Sequence, residues 1–183
     1  MKIIEPRAGF MEGVIKGKEV SFYKKTLGEM KDAYRDTSGM EPYTLLYTTY
    51  SYEAGDSKKA GDLYFGLTVL EPVTVNGECC MTRGHFHLER NCAEFYFGIS
   101  GSGLLLLMDD EGKTWAEKVE KGSIHHIAGN LAHRLINTGD EQLKVGACWP
   151  TVAGHDYEAI EKRNFGYRIL KKDGKIAWED DRR

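Results

Sequence analysis

Two histidines two residues apart, His85 and His87, are followed by a polar turn and then a carboxylate, Glu94. Glu94 sits in the apolar run Ala93-Glu94-Phe95-Tyr96-Phe97, where an unpaired buried carboxylate is costly. A further lone histidine, His133, has a similar setting in Leu131-Ala132-His133-Arg134-Leu135-Ile136. On a strand, residues i and i+2 face the same side, so the imidazoles of His85-Phe86-His87 point one way. A hairpin through the polar turn would return the Glu94 carboxylate to the two rings. Three imidazoles and one carboxylate suit a borderline divalent ion such as Fe, Zn, Ni or Mn. The pattern predicts a metal site in the interior of a β-barrel. The plainer reading makes His-x-His an ordinary surface or core pair and turns Glu94 to solvent.

The elements that must position these side chains are short strands. Residues 1–25 read as loops and one edge strand, interrupted by Gly9, Gly13 and Gly17. Thr26-Leu27-Gly28-Glu29 has the form of a capping box. Leu27, Met30 and Tyr34 follow on one stripe, which predicts a short helix over 27–35. Tyr43–Tyr52 and Leu63–Leu70 are rich in β-branched and aromatic residues and read as strands. Asn76-Gly77 is a turn leading into a strand over Cys79–His87. Strands are then expected at 93–99, 104–108, 113–119, 123–127, 133–137 and 142–149, with Gly- and Asp-rich turns between them. A helix near Tyr157–Arg163 and a hairpin around Asp173-Gly174 complete the chain.

The 183 residues suit one domain with a sizeable core. Hydrophobic residues make up 41% and charged residues 29%, as in a water-soluble globular chain. A net charge of −3 gives no general attraction to nucleic acid or anionic lipid. No apolar run approaches the roughly 18–20 residues a membrane span needs. The N-terminus reads as lacking a secretory segment, so a cytoplasmic location is expected. Cys79, Cys80, Cys92 and Cys148 form no C-x-x-C and read as reduced thiols packed as small hydrophobes.

The motifs resemble those of the cupin family of β-barrels. The first is Gly77…His85-Phe86-His87…Glu94…Gly101, with a longer gap before Glu94 than is usual in that family. The second is Gly122…Ala128-Gly129-Asn130…His133…Asn137, with Ala128 and Asn130 in place of the usual Pro and Gly. Further segments are similar to the archaeal-type cupin phosphoglucose isomerases. They are Thr82-Arg83-Gly84-His85-Phe86-His87, Gly61-Asp62-Leu63-Tyr64-Phe65, Thr68-Val69-Leu70-Glu71-Pro72 and Ala153-Gly154-His155-Asp156-Tyr157. The likeness runs in register from about Tyr43 to Gly174.

The resemblance implies an all-β fold, a double-stranded β-helix of jelly-roll type with one or two short helices. Residues 1–42 would be an N-terminal extension, 43–150 the barrel core and 151–183 a C-terminal helix and hairpin. It implies one divalent metal per chain on His85, His87, Glu94 and His133, with Fe(II) favoured and Zn, Mn or Ni admissible. It implies a sugar-phosphate substrate, with phosphate donors Thr68, Thr82 and the Gly84 amide. Tyr47, Tyr96, His155 and Tyr157 would contact the sugar, and a homodimer is the expected assembly. Arg83 is placed to add positive charge near the phosphate, or else to face solvent. His126 aligns with the family pocket but reads equally as a structural histidine.

Interconversion of glucose 6-phosphate and fructose 6-phosphate moves a hydrogen between C2 and C1. The C–H beside a carbonyl is acidic, which makes an enediolate the natural intermediate and Glu94 the candidate base. A hydride shift is the competing route. Two other functions use the same residues: an Fe(II) cupin dioxygenase, and a cupin that binds sugar phosphate without turnover.

Overall fold

The structure, a computed structural model, describes residues 1–56 and 59–182. The first 26 residues form three strands where one was expected: β1 (Ala8–Met11), β2 (Val14–Gly17) and β3 (Val20–Thr26). The turn between β1 and β2 has Glu12 and Gly13 at φ +54° and +77°, the left-handed pair that a tight hairpin requires. The expected helix over 27–35 is instead two 3₁₀ turns, Leu27–Glu29 and Lys31–Ala33. Part of the capping box forms, with Glu29 Oε2 accepting from the Thr26 amide at 2.9 Å. Met30, at φ −122°, then leaves helical geometry. The stripe survives because residues three apart line up on a 3₁₀ turn, and Leu27, Met30 and Tyr34 are all buried.

Strands follow in nearly the expected places: β4 (Leu45–Tyr52), β5 (Leu63–Leu70), β6 (Thr74–Val75) and β7 (Glu78–Cys79). Next come β8 (Glu94–Ser100), β9 (Ser102–Met108), β10 (Thr114–Glu120) and β11 (Ile124–Ile127). Then β12 (Ala132–Asn137), β13 (Leu143–Pro150), helix α1 (Glu158–Arg163), β14 (Tyr167–Lys172) and β15 (Lys175–Asp180) complete the chain.

The strands form a six-stranded sheet in the order β11-β8-β13-β5-β4-β3 and a three-stranded sheet in the order β10-β9-β12. A third sheet, β15-β14-β7-β6, brings the C-terminal hairpin to the hairpin around Asn76-Gly77. All of these pairings are antiparallel. One core cluster holds Leu46, Leu70 and Val145 of the large sheet together with Leu105, Leu107 and Leu135 of the small one. A second, smaller cluster joins Ile15 of β2 to Leu67 and Val69, so the N-terminal hairpin covers part of the large sheet's outer face. The cysteines are all free, with Cys79 and Cys80 buried. Among the described residues no helix is long and apolar enough to cross a membrane.

Two expectations about connectivity need correction. The segment leading to His87 is not a continuous strand: it is extended chain holding single bridges, Met81 to Ile136 and His85 to His133. The strand carrying Glu94 does not form a hairpin with it. β8 pairs with β11 and β13 in the large sheet, whereas His85 bridges to β12 of the small sheet. The ligand set is therefore assembled across the barrel from two sheets.

Candidate metal centre

His85, His87, Glu94 and His133 converge, with one ligand atom from each lying within 4.8 Å of all the others. Donors on opposite sides of one ion with bonds of about 2.1 Å stand about 4.2 Å apart, so the cluster is close to the size of one coordination sphere. Second contacts orient the rings. His87 Nδ1 lies 2.9 Å from the Cys92 carbonyl, and His133 Nδ1 lies 3.3 Å from the Leu131 carbonyl. A carbonyl only accepts, so each Nδ1 carries the proton and each Nε2 presents a lone pair to the cluster.

The carboxylate shows the same readiness. Glu94 Oε1 stands 2.7 Å from His133 Nε2 and 3.5 Å from His87 Nε2. Yet Glu94 Oε1 and His133 Nε2 are both buried and neither makes a properly aligned hydrogen bond. Two buried polar atoms left unmatched side by side are expensive, unless both are aimed at a shared third body. The donor set therefore fits a divalent cation.

Electrostatics act differently on the members of the set. Burial, then the neighbouring His133, His155 and His87, hold His85 well below its usual value and so neutral. Burial pushes His87 down, but its contacts with Glu94 and the Cys92 carbonyl outweigh that and raise it. Burial favours the neutral Glu94 carboxyl, but its contacts with His133 and His87 outweigh that and hold it down at about 2, so it is ionised at neutral pH.

A cavity of about 190 Å³ opens above the cluster, and Tyr47, Thr68, Thr82, Gly84, Tyr96, His155 and Tyr157 all line it. The His155 ring lies 4.3 Å from His85 and stacks on Tyr157 at 5.7 Å with an 11° interplanar angle. Tyr96 meets His133 edge-on at 5.7 Å. Burial raises the Tyr47 and Tyr96 phenols, which stay protonated and able to donate. Thr82 Oγ1 accepts from the Leu135 amide at 3.0 Å, leaving its own hydrogen to donate into the cavity.

A one-residue bulge makes this lining possible. From Met81 to His85 the chain advances four residues while its partner moves only three, from Ile136 to His133. Strict alternation would place Thr82 and His85 on opposite faces, yet both line the cavity. Gly84, at φ +75°, lies within the irregular stretch. A Cβ there would come within 2.7 Å of the Phe165 ring and 2.9 Å of the His133 carbonyl.

Other candidates fall elsewhere. Arg83 borders the cavity but neither reaches into it freely nor faces solvent. Asp32 holds its guanidinium at 2.6 and 2.8 Å, and the Glu29 carbonyl accepts at 2.9 Å. His126 is exposed against Phe95, which points away from the barrel interior, and His125 is buried between Glu117 and Ser123. Neither lines the cavity. Asn137 is structural: its amide donates to the Leu70 and Glu141 carbonyls and accepts from the Gly139 amide. Thr49, Ser51 and Trp149 line the cavity and were not foreseen. The two hydroxyl residues alternate with Tyr47 along β4, and Thr49 lies opposite Thr68 in the sheet, so a period-two reading from Tyr47 would have found them.

An antiparallel double-sheet barrel with a His-x-His, a glutamate and a third histidine gathered inside defines a cupin with a candidate metal centre. The sequence pattern of the Glucose-6-phosphate isomerase (GPI) family matches residues 18–182. Glucose-6-phosphate isomerase of Thermococcus litoralis is 34% identical over 99% of this chain and 97% of its own length. That of Pyrococcus horikoshii is 33% identical over 97% of this chain and 94% of its own. Among solved structures, the chain is similar to an oxalate oxidase in complex with the substrate analogue glycolate, with 14% identity and a TM-score of 0.47. That likeness covers 86% of this chain and 64% of that one. The chain belongs to the glucose-6-phosphate isomerase family.

Proposed function

We infer that this protein is a metal-dependent aldose–ketose isomerase that interconverts glucose 6-phosphate and fructose 6-phosphate. One observation carries the reading: the four donors share a single cavity with Tyr47, Thr68, Thr82, Gly84, Tyr96, His155 and Tyr157. Thr68, Thr82 and the Gly84 amide hold the phosphate, which fixes the register of the sugar chain. Tyr47, Tyr96, His155 and Tyr157 donate to and enclose the sugar hydroxyls. Fe(II) is our choice of ion on His85, His87, Glu94 and His133, ahead of Zn, Mn or Ni, since this N/O set accepts each of them. When bound, the cation supplies Lewis-acid stabilisation for negative charge developing on the sugar's O1 and O2. Glu94, ionised and buried beside that charge, takes the C2 proton and returns it at C1.

A coupled assay with fructose 6-phosphate and glucose-6-phosphate dehydrogenase tests the activity. Steady NADPH production by the metal-loaded chain is the expected result. Binding without turnover would instead establish the non-catalytic reading. Starting from glucose 6-phosphate in D₂O, solvent deuterium should enter C1 of the product if Glu94 exchanges its proton, and complete retention of hydrogen would favour a hydride shift.

The assembly we propose is a homodimer of single-domain chains. Exposed apolar side chains support it, among them Phe95 and Ile124 of the large sheet and Phe10 of the N-terminal hairpin. A cytoplasmic location goes with this reading, and the four free thiols accord with a reducing compartment.

A further inference from the structure

On β12 the side chains alternate, so His133 faces the metal centre and Arg134 faces the opposite way. There lies a second cavity, of about 90 Å³, between β12, α1 and the C-terminal hairpin. That is room for several waters, or one small ion. Arg134 is 8% exposed. Its Nε and Nη2 donate to the Arg83 carbonyl at 3.0 and 2.5 Å, and its guanidinium stacks on Phe165 at 4.6 Å. Among the described residues no carboxylate comes within ion-pair distance of it.

The neighbouring charges do not serve Arg134. Asp32 and Glu161 are turned to Arg83. Glu78 and Asp181 hold Arg168 at 2.7 and 2.9 Å. Arg168 still keeps one buried donor, Nε, without a partner, although its side chain is only 9% exposed. A buried guanidinium with no counter-ion is costly, and the unmatched Arg168 Nε in the same cavity wall adds to that cost. Holding the Arg83 carbonyl needs only two N–H groups; the full charge of Arg134 is surplus to that task.

We propose that this second cavity is a binding site for a small oxyanion of phosphate size, held by Arg134. The site is separate from the substrate's phosphate position, since Arg134 does not line the sugar cavity.

Crystals of the metal-loaded chain soaked in selenate provide the first test. An anomalous selenium peak beside Arg134 is expected; no peak there, or a peak only in the barrel cavity, overturns the proposal. This arm needs no variant and does not depend on the isomerase reading. The second test is calorimetric titration with inorganic phosphate while fructose 6-phosphate saturates the barrel cavity. One phosphate per chain should bind, and Arg134→Met should weaken it at least tenfold. Equal phosphate affinity in Arg134→Met and the parent, with both melting cooperatively, overturns the proposal.

Discussion

Two histidine–carboxylate pairs in this barrel stand at nearly the same separation and do opposite things. His125 Nδ1 lies 2.6 Å from Glu117 Oε2, and its Nε2 lies 2.8 Å from Ser123 Oγ. Both ring nitrogens are satisfied, so the group is closed and has nothing left to bind. His133 Nε2 lies 2.7 Å from Glu94 Oε1, but both atoms lack an aligned hydrogen bond, and His85 and His87 converge on the same place. Proximity of imidazole and carboxylate is thus not the mark of a site. Convergent lone pairs left unspent in a buried position are.

Substitutions at the two pairs should separate these roles. Glu94→Gln keeps the shape but removes the proposed base and anionic ligand, and should lower isomerisation by about 10³-fold, within the range of lost general acid–base catalysis. Turnover in the coupled assay measures it. A loss below tenfold would mean Glu94 serves packing alone.

Gly84→Ala comes next, because it acts on the bulge that turns His85 toward His133. A positive φ and a Cβ within 2.7 Å of Phe165 should together cost about 1–3 kcal/mol. Metal content per chain should fall as well, as read by elemental analysis beside a melting curve.

His125→Ala breaks the closed pair and should cost about 1–2 kcal/mol of stability through lost hydrogen bonds. Metal content and kcat should stay at the parent's values. A loss of metal in this variant would erase the distinction between the two pairs.

The smallest effect belongs to a carboxylate far from both. The Tyr23 hydroxyl and the Thr26 amide hold Glu29 down at about 2. A depressed carboxyl contributes stability that is full above its ordinary value of 4.5 and is lost as pH falls toward 2. Glu29→Gln should therefore destabilise by about 1 kcal/mol or less at neutral pH, as for a solvent-screened cap. The gap between variant and parent should close in acid, which denaturant titrations at two pH values would show.

The convergence of His85, His87, Glu94 and His133 was legible because each is a lone polar residue set in an apolar or alternating run, with a spacing that local geometry converts into direction. β5 lies at Leu63–Leu70, where its composition and the bounding Gly61-Asp62 and Pro72 put it. What the sequence hid was long-range. The partner of Glu94's strand is chosen by sheet order, and β8 joins the large sheet rather than folding back on His87. The bulge near Gly84 is a mismatch between two segments some fifty residues apart, which neither segment displays alone. Capping residues and a stripe announced a helix at 27–35, but an i, i+3 stripe serves a 3₁₀ turn equally well. In the sequence Arg134 is only one charge in an apolar strand. Its isolation from carboxylates exists only in three dimensions.

The most direct test follows metal and activity together in one sample. Metal content and fructose 6-phosphate isomerisation are measured as isolated, after exhaustive chelation, and after reloading with Fe(II). Activity should vanish in step with the metal and return with it, and His85→Ala should fail to reload. Full activity in chain verified to hold no metal would contradict a cation-centred site at His85, His87, Glu94 and His133.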